Sequence, residues 1–433
     1  MPKTVSYAKG SIIYFEGDKD DRIFILQNGS LTLSETDIQT GEEKREQLRA
    51  GEFFGVKSAL SRNPRIETVR CASDVQVVQL TVNEFEKIFS QNQAVMKKML
   101  KIFSKNLKEL HEKTKVVLKA KNPQEAADVG MLATAKSFFV DEKYKTAAAI
   151  CERILKSFPE SPSAEEAKKV LNESMQNIEK PGKKRKSISE EEITGGDETA
   201  LKQFSLSIFD RFSKKYESGD VIIAEYEKGD NFYLGQSGEV QIEKCINGTM
   251  KNLAILRPGE IFGELEVIDG QDRTATCIAR TPVSCLEFGS SNFQSLVVAN
   301  AQIVMSVLKA ISRRIYEQRR EIRTLTIEDL QARIADIFLM YNEMNPFIPD
   351  PDAEPTDQRK FNLTITDIAR WAAINPDSAR DELNKFVSKS KIEIYDDYMI
   401  IKNIMDMKRT VDAYNANMEV KKDEQAAKAA VKQ

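Results

Sequence analysis

Residues 262–276 read Phe-Gly-Glu-Leu-Glu-Val-Ile-Asp-Gly-Gln-Asp-Arg-Thr-Ala-Thr, and several of these side chains suit one small ligand. Gly263 lets the backbone approach a ligand closely. Glu264, when ionised, offers only acceptor oxygens, which suits a ribose hydroxyl. The segment after Gly263, from Glu264 and Leu265 onward, can open a short helix whose free N–H groups and positive dipole end favour an anion. Arg273 supplies a cation for phosphate oxygens, and the backbone N–H groups near Thr274 and Ala275 add donors. Together this chemistry fits a small cyclic phosphodiester.

The flanks position that set. Apolar and polar residues alternate over 238–242 and again over 252–256, the period-two signal of half-buried strands. Pro258-Gly259 ahead of Ile261-Phe262 marks a turn. The segment is thus expected between strands of a jelly-roll-like β-barrel followed by helix. Residues 262–276 resemble the phosphate-binding cassette of cyclic-nucleotide-binding domains, and 219–242 resemble the opening of that family's β-roll. The family usually has Gly where this chain has Tyr226. The resemblance implies a cyclic nucleotide, cyclic AMP or cyclic GMP, as effector, and no metal.

The pattern occurs twice. Residues 10–33 align with 219–242 with few offsets, and 54–69 align with 262–277 without a gap, so one β-roll module is repeated. In the first copy Gly55, Arg65 and Thr68 remain, and Ile66 stands at the place of Thr274. Val56 replaces Glu264, which removes the ribose acceptor, and Glu67 replaces Ala275, which adds a negative charge at the phosphate position. The first site is read as degenerate, either a structural module or a site for an altered ligand that still needs Arg65.

The chain has 433 residues and a net charge of −3. That length predicts two to four domains, and the charge gives the whole chain no bulk attraction to nucleic acid or anionic lipid. Five cysteines, at 71, 151, 245, 277 and 285, show no CxxC spacing, which argues for a reducing, cytoplasmic setting and against a zinc or iron–sulfur sensor. The first ten residues lack the apolar core of a signal peptide, and no apolar run reaches membrane-spanning length. No nucleophile–base pair, metal cluster or triphosphate loop supports an enzyme. The single histidine, His111, lies in a charged helical stretch and is expected to be solvated.

Between the β-rolls, 92–120 is an amphipathic helix with Val95, Met99, Phe103, Leu107 and Leu110 on one face. Residues 126–173 read as a helix pair, with Ser163 capping a following helix. Ala135, Phe138, Tyr144, Ala148 and Leu155, ending at Phe158-Pro159-Glu160-Ser161-Pro162, resemble a tetratricopeptide repeat. One isolated repeat cannot bury a continuous core, so it is either a spacer packed on a neighbour or a groove for a protein partner. Residues 179–199, with Pro181-Gly182, a basic run at 183–186 and Gly195-Gly196, have linker composition.

Past the second β-roll, Leu308, Ile311, Ile315, Gln318, Ile322 and Leu325 step by three and four, a heptad seam with one polar member. From here on the chain resembles bacterial catabolite-activator-like (Crp/Fnr-type) regulators. The resemblance implies a homodimer paired through this helix, with Gln318 at the base-contacting position and Arg319 contributed by the partner subunit. Setting the register of the seam is the other role open to Gln318. A helix over 327–345, a loop with Pro346, Pro349, Pro351 and Pro355, and the segments 363–372, 375–386, 392–395 and 398–401 resemble a winged helix-turn-helix. Thr366 and Asn375 are the expected N-caps, the second followed by Pro376. Thr366, Asn375, Ser378, Arg380 and Lys385 are the candidate contacts to double-stranded DNA, although Asp377, Asp381 and Glu382 make that helix neutral to acidic.

The expected fold is a mixed α+β multidomain chain. It runs 1–120 β-roll with degenerate site, 123–178 helical hairpin, 179–199 linker, 200–325 β-roll with dimerisation helix, 326–410 winged helix-turn-helix and 411–433 charged tail. The expected function is a cytoplasmic cyclic-nucleotide-responsive transcription regulator. The alternative is a cyclic-nucleotide receptor whose winged helix makes protein contacts. Neither involves a membrane.

Overall fold

A computed structural model describes residues 2–120, 126–178, 207–290, 301–345 and 356–430. The linker expected over 179–199 and the prolines at 346, 349, 351 and 355 lie outside them. The first module runs β1 Lys3–Tyr7, β2 Ile12–Tyr14, β3 Ile23–Asn28, β4 Leu31–Thr36, β5 Glu43–Leu48, β6 Phe53–Phe54, α1 Val56–Ser61, β7 Thr68–Cys71, β8 Val75–Leu80, α2 Val82–Phe89 and α3 Gln93–Val117. Three helices follow, α4 Ala127–Val140, α5 Tyr144–Ser157 and α6 Ser163–Ile178. The second module runs β9 Ser213–Tyr216, β10 Val221–Ile223, β11 Asn231–Ser237, β12 Val240–Ile246, β13 Thr249–Leu256, β14 Ile261–Phe262, α7 Glu264–Asp269, β15 Thr276–Ala279, β16 Val283–Gly289 and α8 Ala301–Leu325. A C-terminal unit ends the chain: α9 Leu330–Met344, β17 Arg359–Phe361, α10 Ile365–Ala372, α11 Pro376–Ser388, β18 Ile392–Ile394, β19 Met399–Ile401 and α12 Ile404–Ala430.

The two modules are the same object folded twice. Each is a pair of four-stranded antiparallel sheets, β1-β8-β3-β6 with β2-β7-β4-β5, and β9-β16-β11-β14 with β10-β15-β12-β13. Inward-facing residues of each pair close a core, Tyr14, Phe24, Leu31 and Val69 in the first and Ile223, Tyr233, Phe262 and Cys277 in the second. The repeat extends through the long helices. Both α3 and α8 have 25 residues, and they begin at 93 and 301, a step of 208 that also relates Gly55 to Gly263 and Arg65 to Arg273.

Those two helices meet each other. Met96, Met99, Leu100, Phe103, Leu107 and Leu110 of α3 share one buried cluster with Leu308, Ile311, Ile315 and Ile322 of α8. The cassette helices reach across: α1 packs on α8, and α7 packs on α3. The seam expected to pair two subunits is therefore covered within one chain. An apolar stripe needs a partner helix, and the first module supplies it on the same polypeptide.

Other expectations are corrected in detail. The helix expected after the pair is present over Ser163–Ile178, but it begins at Ser163 itself rather than being capped by it, and the Ser163 N–H donates to Ser161 Oγ at 2.9 Å. The apolar side of this unit, with Met131, Ala135, Phe138 and Ile150, packs on Val221, Ala224, Met250 and Ile278 of the second β-roll, which answers the choice between spacer and groove in favour of packing. Tyr226 makes its turn with φ at 72°, and its ring lies so close to Gly130 that a Cβ there would meet it at 2.4 Å. The cap of α10 is Thr364, not Thr366. The Thr364 hydroxyl accepts from Asp367 N, and the Asp367 carboxylate accepts from Thr364 N, a reciprocal box. Asn375 caps α11 as expected, accepting from Ser378 N at 2.7 Å. The stretch expected as a tail from 411 continues α12, and Val411 belongs to the C-terminal core.

Ile315→Ala is expected to lower the unfolding free energy by about 2–5 kcal/mol. Because the contact lies within one chain, the loss is expected to be the same at protein concentrations about ten-fold apart. Urea denaturation at the two concentrations reads this, and a concentration-dependent loss would place the partner helix on another molecule.

Candidate functional site

The second cassette begins where β14 turns at Gly263, whose φ of 73° is left-handed. A Cβ at Gly263 would meet Ile223 Cδ1 at 2.9 Å and Arg273 Nη1 at 3.0 Å, so the turn and the cation are fitted together. Arg273 is buried. Its Nη1 donates to Gly263 O at 2.7 Å, and its Nη2 donates to Asn231 O. The guanidinium is thus aimed by two backbone carbonyls, one from the cassette and one from β11.

Glu264 starts α7 fully buried. Its Oε1 accepts from Arg314 Nη2 of α8 at 2.5 Å, and Oε2 is buried with no partner among the described residues. Burial pushes its carboxyl up, and Arg314 draws it back down. Arg314 also donates to Ile261 O at 3.1 Å, so α8 reads both the cassette and the strand before it. Leu265, the next residue, points into the seam core, and Ala275 packs on the barrel core.

Three further groups complete the site, none of them singled out from sequence. Glu266 Oε1 accepts from Thr274 N at 3.2 Å and from Thr274 Oγ1 at 2.8 Å, and its Oε2 lies 3.4 Å from Arg273 Nη1. Lys244 of β12 donates to Thr274 O and pairs with the buried Glu225 at 2.6 Å. Burial raises the Glu225 carboxyl, opposed by Lys244. A signal for Arg314 was present in the sequence, because it lies one helical turn from Gln318 on the seam helix. Lys244 and Glu225 carried no local signal, since it is the turn after β10 that brings Glu225 against β12.

Gln318 and Arg319 do not meet the cassette. Gln318 Nε2 donates to Thr114 Oγ1 of α3 at 3.2 Å and to Glu321 Oε2 at 2.7 Å, so its amide N–H groups join the two long helices, the register role. Arg319 pairs with Glu35 of the first module. The residue 208 positions before Arg319 is His111, and it is not solvated. Its imidazole is half-buried with Nδ1 unpartnered among the described residues. Burial, then the charges of Lys244, Arg314, Lys115 and Lys108, lower its pKa from 6.5 to about 3.

The first cassette keeps the frame and loses the ligand chemistry. Arg65 Nη1 donates to Gly55 O at 2.8 Å and Nη2 to Arg22 O at 2.6 Å, the same pose as Arg273. Its cation already has a carboxylate, Asp20, at 2.9 Å, and lies 4.3 Å above the Tyr14 ring. Val56 is buried where Glu264 would be, and Asn106 stands 208 positions before Arg314, so both halves of the Glu264–Arg314 pair are replaced together. Ile66 is buried, Glu67 accepts from Tyr14 OH at 2.9 Å, and Thr68 Oγ1 accepts from Glu16 N at 2.9 Å.

The C-terminal unit docks on the second β-roll through buried charges. Arg370 of α10 joins Glu243 of β12 and Asp141 of the three-helix unit, both at 2.5 Å. Lys251 of β13 donates to Trp371 O at 2.6 Å and pairs with Glu321 of α8 at 2.5 Å. Arg280 donates to Asn362 O at 2.6 Å and pairs with Glu239 at 3.1 Å. Of the candidate DNA contacts, Thr366 is half-buried within α10, while Asn375, Arg380 and Lys385 are exposed and Ser378 is half-buried on α11. Lys385 pairs with Glu382 at 2.7 Å. Among the described residues no helix is long and apolar enough to cross a membrane.

The chain matches the family model of the cyclic nucleotide-binding domain in two places, residues 4–92 and 213–300. It is 28% identical over 132 residues to a cyclic AMP receptor protein of Thermus thermophilus, a match covering 30% of this chain and 60% of that protein. It is 39% identical over 83 residues to a cAMP-dependent protein kinase regulatory subunit of Aspergillus niger, covering 19% and 20%. The chain thus spans 60% or less of the length of these two relatives. A solved transcriptional regulator of the Crp/Fnr family, also from Thermus thermophilus, superposes with a TM-score of 0.38 at 19% identity, covering 46% of this chain and 98% of that one.

The lowered pKa of His111 has a consequence for stability. Its folded-state pKa lies below the unfolded value, so the unfolded chain binds the extra proton. Stability from this group is intact above about pH 6.5 and falls as the pH drops toward 3. Roughly 1–2 kcal/mol is expected to be lost by pH 5. His111→Gln is expected to make the fall between about pH 6.5 and pH 5 shallower by that amount in urea titrations, and an unchanged slope would show that the imidazole titrates freely.

Proposed function

We propose, from the two stretches that match the cyclic nucleotide-binding domain, that this is a cytoplasmic cyclic-nucleotide-responsive regulator with one effector site per chain, in the second β-roll. The observation that carries the proposal is the buried pair Glu264 and Arg273 beside Gly263, with half-buried Thr274 next to them and one Glu264 oxygen left without a partner among the described residues. That oxygen suits a ribose hydroxyl. Arg273 and the backbone N–H groups of Thr274 and Ala275 suit the phosphate. The first β-roll, lacking Glu264 and Arg314 counterparts, serves as the brace that supplies α3.

The output is the C-terminal unit, which we read as a winged helix-turn-helix with α11 as recognition helix. Differential contact of the ligand with the cassette would shift a pre-existing equilibrium between docked and released positions of this unit. One chain offers one such helix, so a single chain spans one half-site, and a two-fold site requires two chains. Arg380 is its best base-reading side chain, exposed and able to make a bidentate guanine contact.

Calorimetry of the full chain against cyclic AMP and cyclic GMP tests the sensor half. Binding of one ligand per chain is expected, lost in Arg273→Ala and little changed in Arg65→Ala. Equal loss in both variants would overturn the assignment. Selection from random DNA with and without the bound nucleotide tests the output half. Enrichment of a defined sequence is expected, with Arg380→Ala costing roughly 1–3 kcal/mol at that site. Enrichment of nothing at low salt would assign the output to protein contacts.

A further inference from the structure

We propose that Glu266 is a tethered anion seated on the phosphate-recognition groups of the second β-roll, so that an effector binds only by displacing it. The inference rests on the reading of this cassette as the effector site and concerns what sets its affinity.

Three contacts place it. Glu266 Oε1 takes both donors of Thr274, its N–H at 3.2 Å and its hydroxyl at 2.8 Å, and Oε2 lies 3.4 Å from Arg273 Nη1. These are the donors a phosphate would use: a backbone N–H at the end of the cassette, a hydroxyl beside it, and a guanidinium. The Glu266 carboxylate is itself buried. A phosphodiester anion placed beside it would put two negative charges on one arginine in a site shielded from water, where like charges repel far more strongly than in solvent. One of the two anions has to leave.

The first module shows that the cassette does not require a glutamate there. The residue 208 positions earlier is Ser58, on the buried face of α1, with no partner for its hydroxyl among the described residues. There the cation is balanced from elsewhere, by Asp20 at 2.9 Å from Arg65. Nor does Arg273 depend on Glu266 for its pose, because the carbonyls of Gly263 and Asn231 already aim it. The Glu266 carboxylate therefore acts on the occupancy of the site rather than on its construction.

The test is calorimetry of the full-length chain with cyclic AMP and cyclic GMP, comparing wild type with Glu266→Ala and with the near-isosteric Glu266→Gln. Both variants are expected to bind the preferred nucleotide at least about ten-fold more tightly, a gain of roughly 1.4 kcal/mol. Adding Arg273→Ala to Glu266→Ala is expected to remove binding. Inorganic phosphate is expected to raise the thermal midpoint of Glu266→Ala and leave wild type unmoved. If Glu266→Ala does not unfold cooperatively, Glu266→Gln carries the comparison. Wild-type binding with equal or weaker binding by the variants would overturn the tethered-anion proposal and leave the effector site standing. No nucleotide binding by wild type or either variant would overturn the effector site itself, and the proposal with it.

Discussion

Everything in the two-module half of this protein depends on one apolar seam. A β-roll that ends in a long amphipathic helix exposes a stripe that water does not tolerate. Here the stripes of α3 and α8 cover each other. Burying side chains such as Ile311, Ile315, Phe103 and Leu107 contributes about 1.5–3 kcal/mol apiece relative to exposure. Because both helices belong to one polypeptide, the encounter is intramolecular and needs no second chain. The reciprocal packing of α1 on α8 and of α7 on α3 then places each cassette against the helix of the other module. That geometry puts His111, a residue of the first module, within the electrostatic influence of Lys244 and Arg314 of the second.

The same constraint explains why the first module keeps its shape after losing its chemistry. Val56 and Asn106 remove a buried acid and its arginine as a pair, which avoids the several kcal/mol that a lone buried charge would cost. Arg65 stays because it is structural. It ties Gly55 O to Arg22 O, stacks over Tyr14 and is neutralised by Asp20. A cation held on four sides this way braces the turn whether or not a ligand ever arrives.

Much of this was legible in the residues. The period-two runs gave the strands around 240 and 254, the gap-free alignment of 54–69 with 262–277 gave the duplication, and Asn375-Pro376 gave the start of α11. What failed did so for identifiable reasons. A heptad stripe announces that a partner exists, not which chain carries it, and both stripes were visible without anything local to join them. Leu363-Thr364-Ile365-Thr366 offers two capping threonines, and Asp367 decides for Thr364 because only there does it stand at the third helical position. His111 looked solvated because its sequence neighbours are charged, whereas its spatial neighbours are set by the seam. Glu266 sat in plain view beside Glu264, but only the fold shows that its carboxylate turns back onto Thr274.

Cassette and C-terminal unit are joined by neighbouring residues of β12. Lys244 faces the barrel interior, bonded to Glu225 and to the carbonyl of Thr274. Its neighbour Glu243 faces outward and holds Arg370 of α10, with Lys143 of the three-helix unit 3.8 Å away. Successive strand residues point to opposite faces, so adjacent positions of β12 touch the cassette on one side and the docked unit on the other. The interface on the outer side of β12 also holds unpaired polar groups. Glu243 Oε2, Asn252 Nδ2, Arg370 Nε and Trp371 Nε1 are all buried there without partners among the described residues. Unsatisfied groups of this kind carry a desolvation cost that water would relieve. Buried ion pairs add little net stability, yet breaking one partner at a time is costly. Within this interface Arg370 holds both Glu243 and Asp141, so removing it leaves buried negative charge uncompensated.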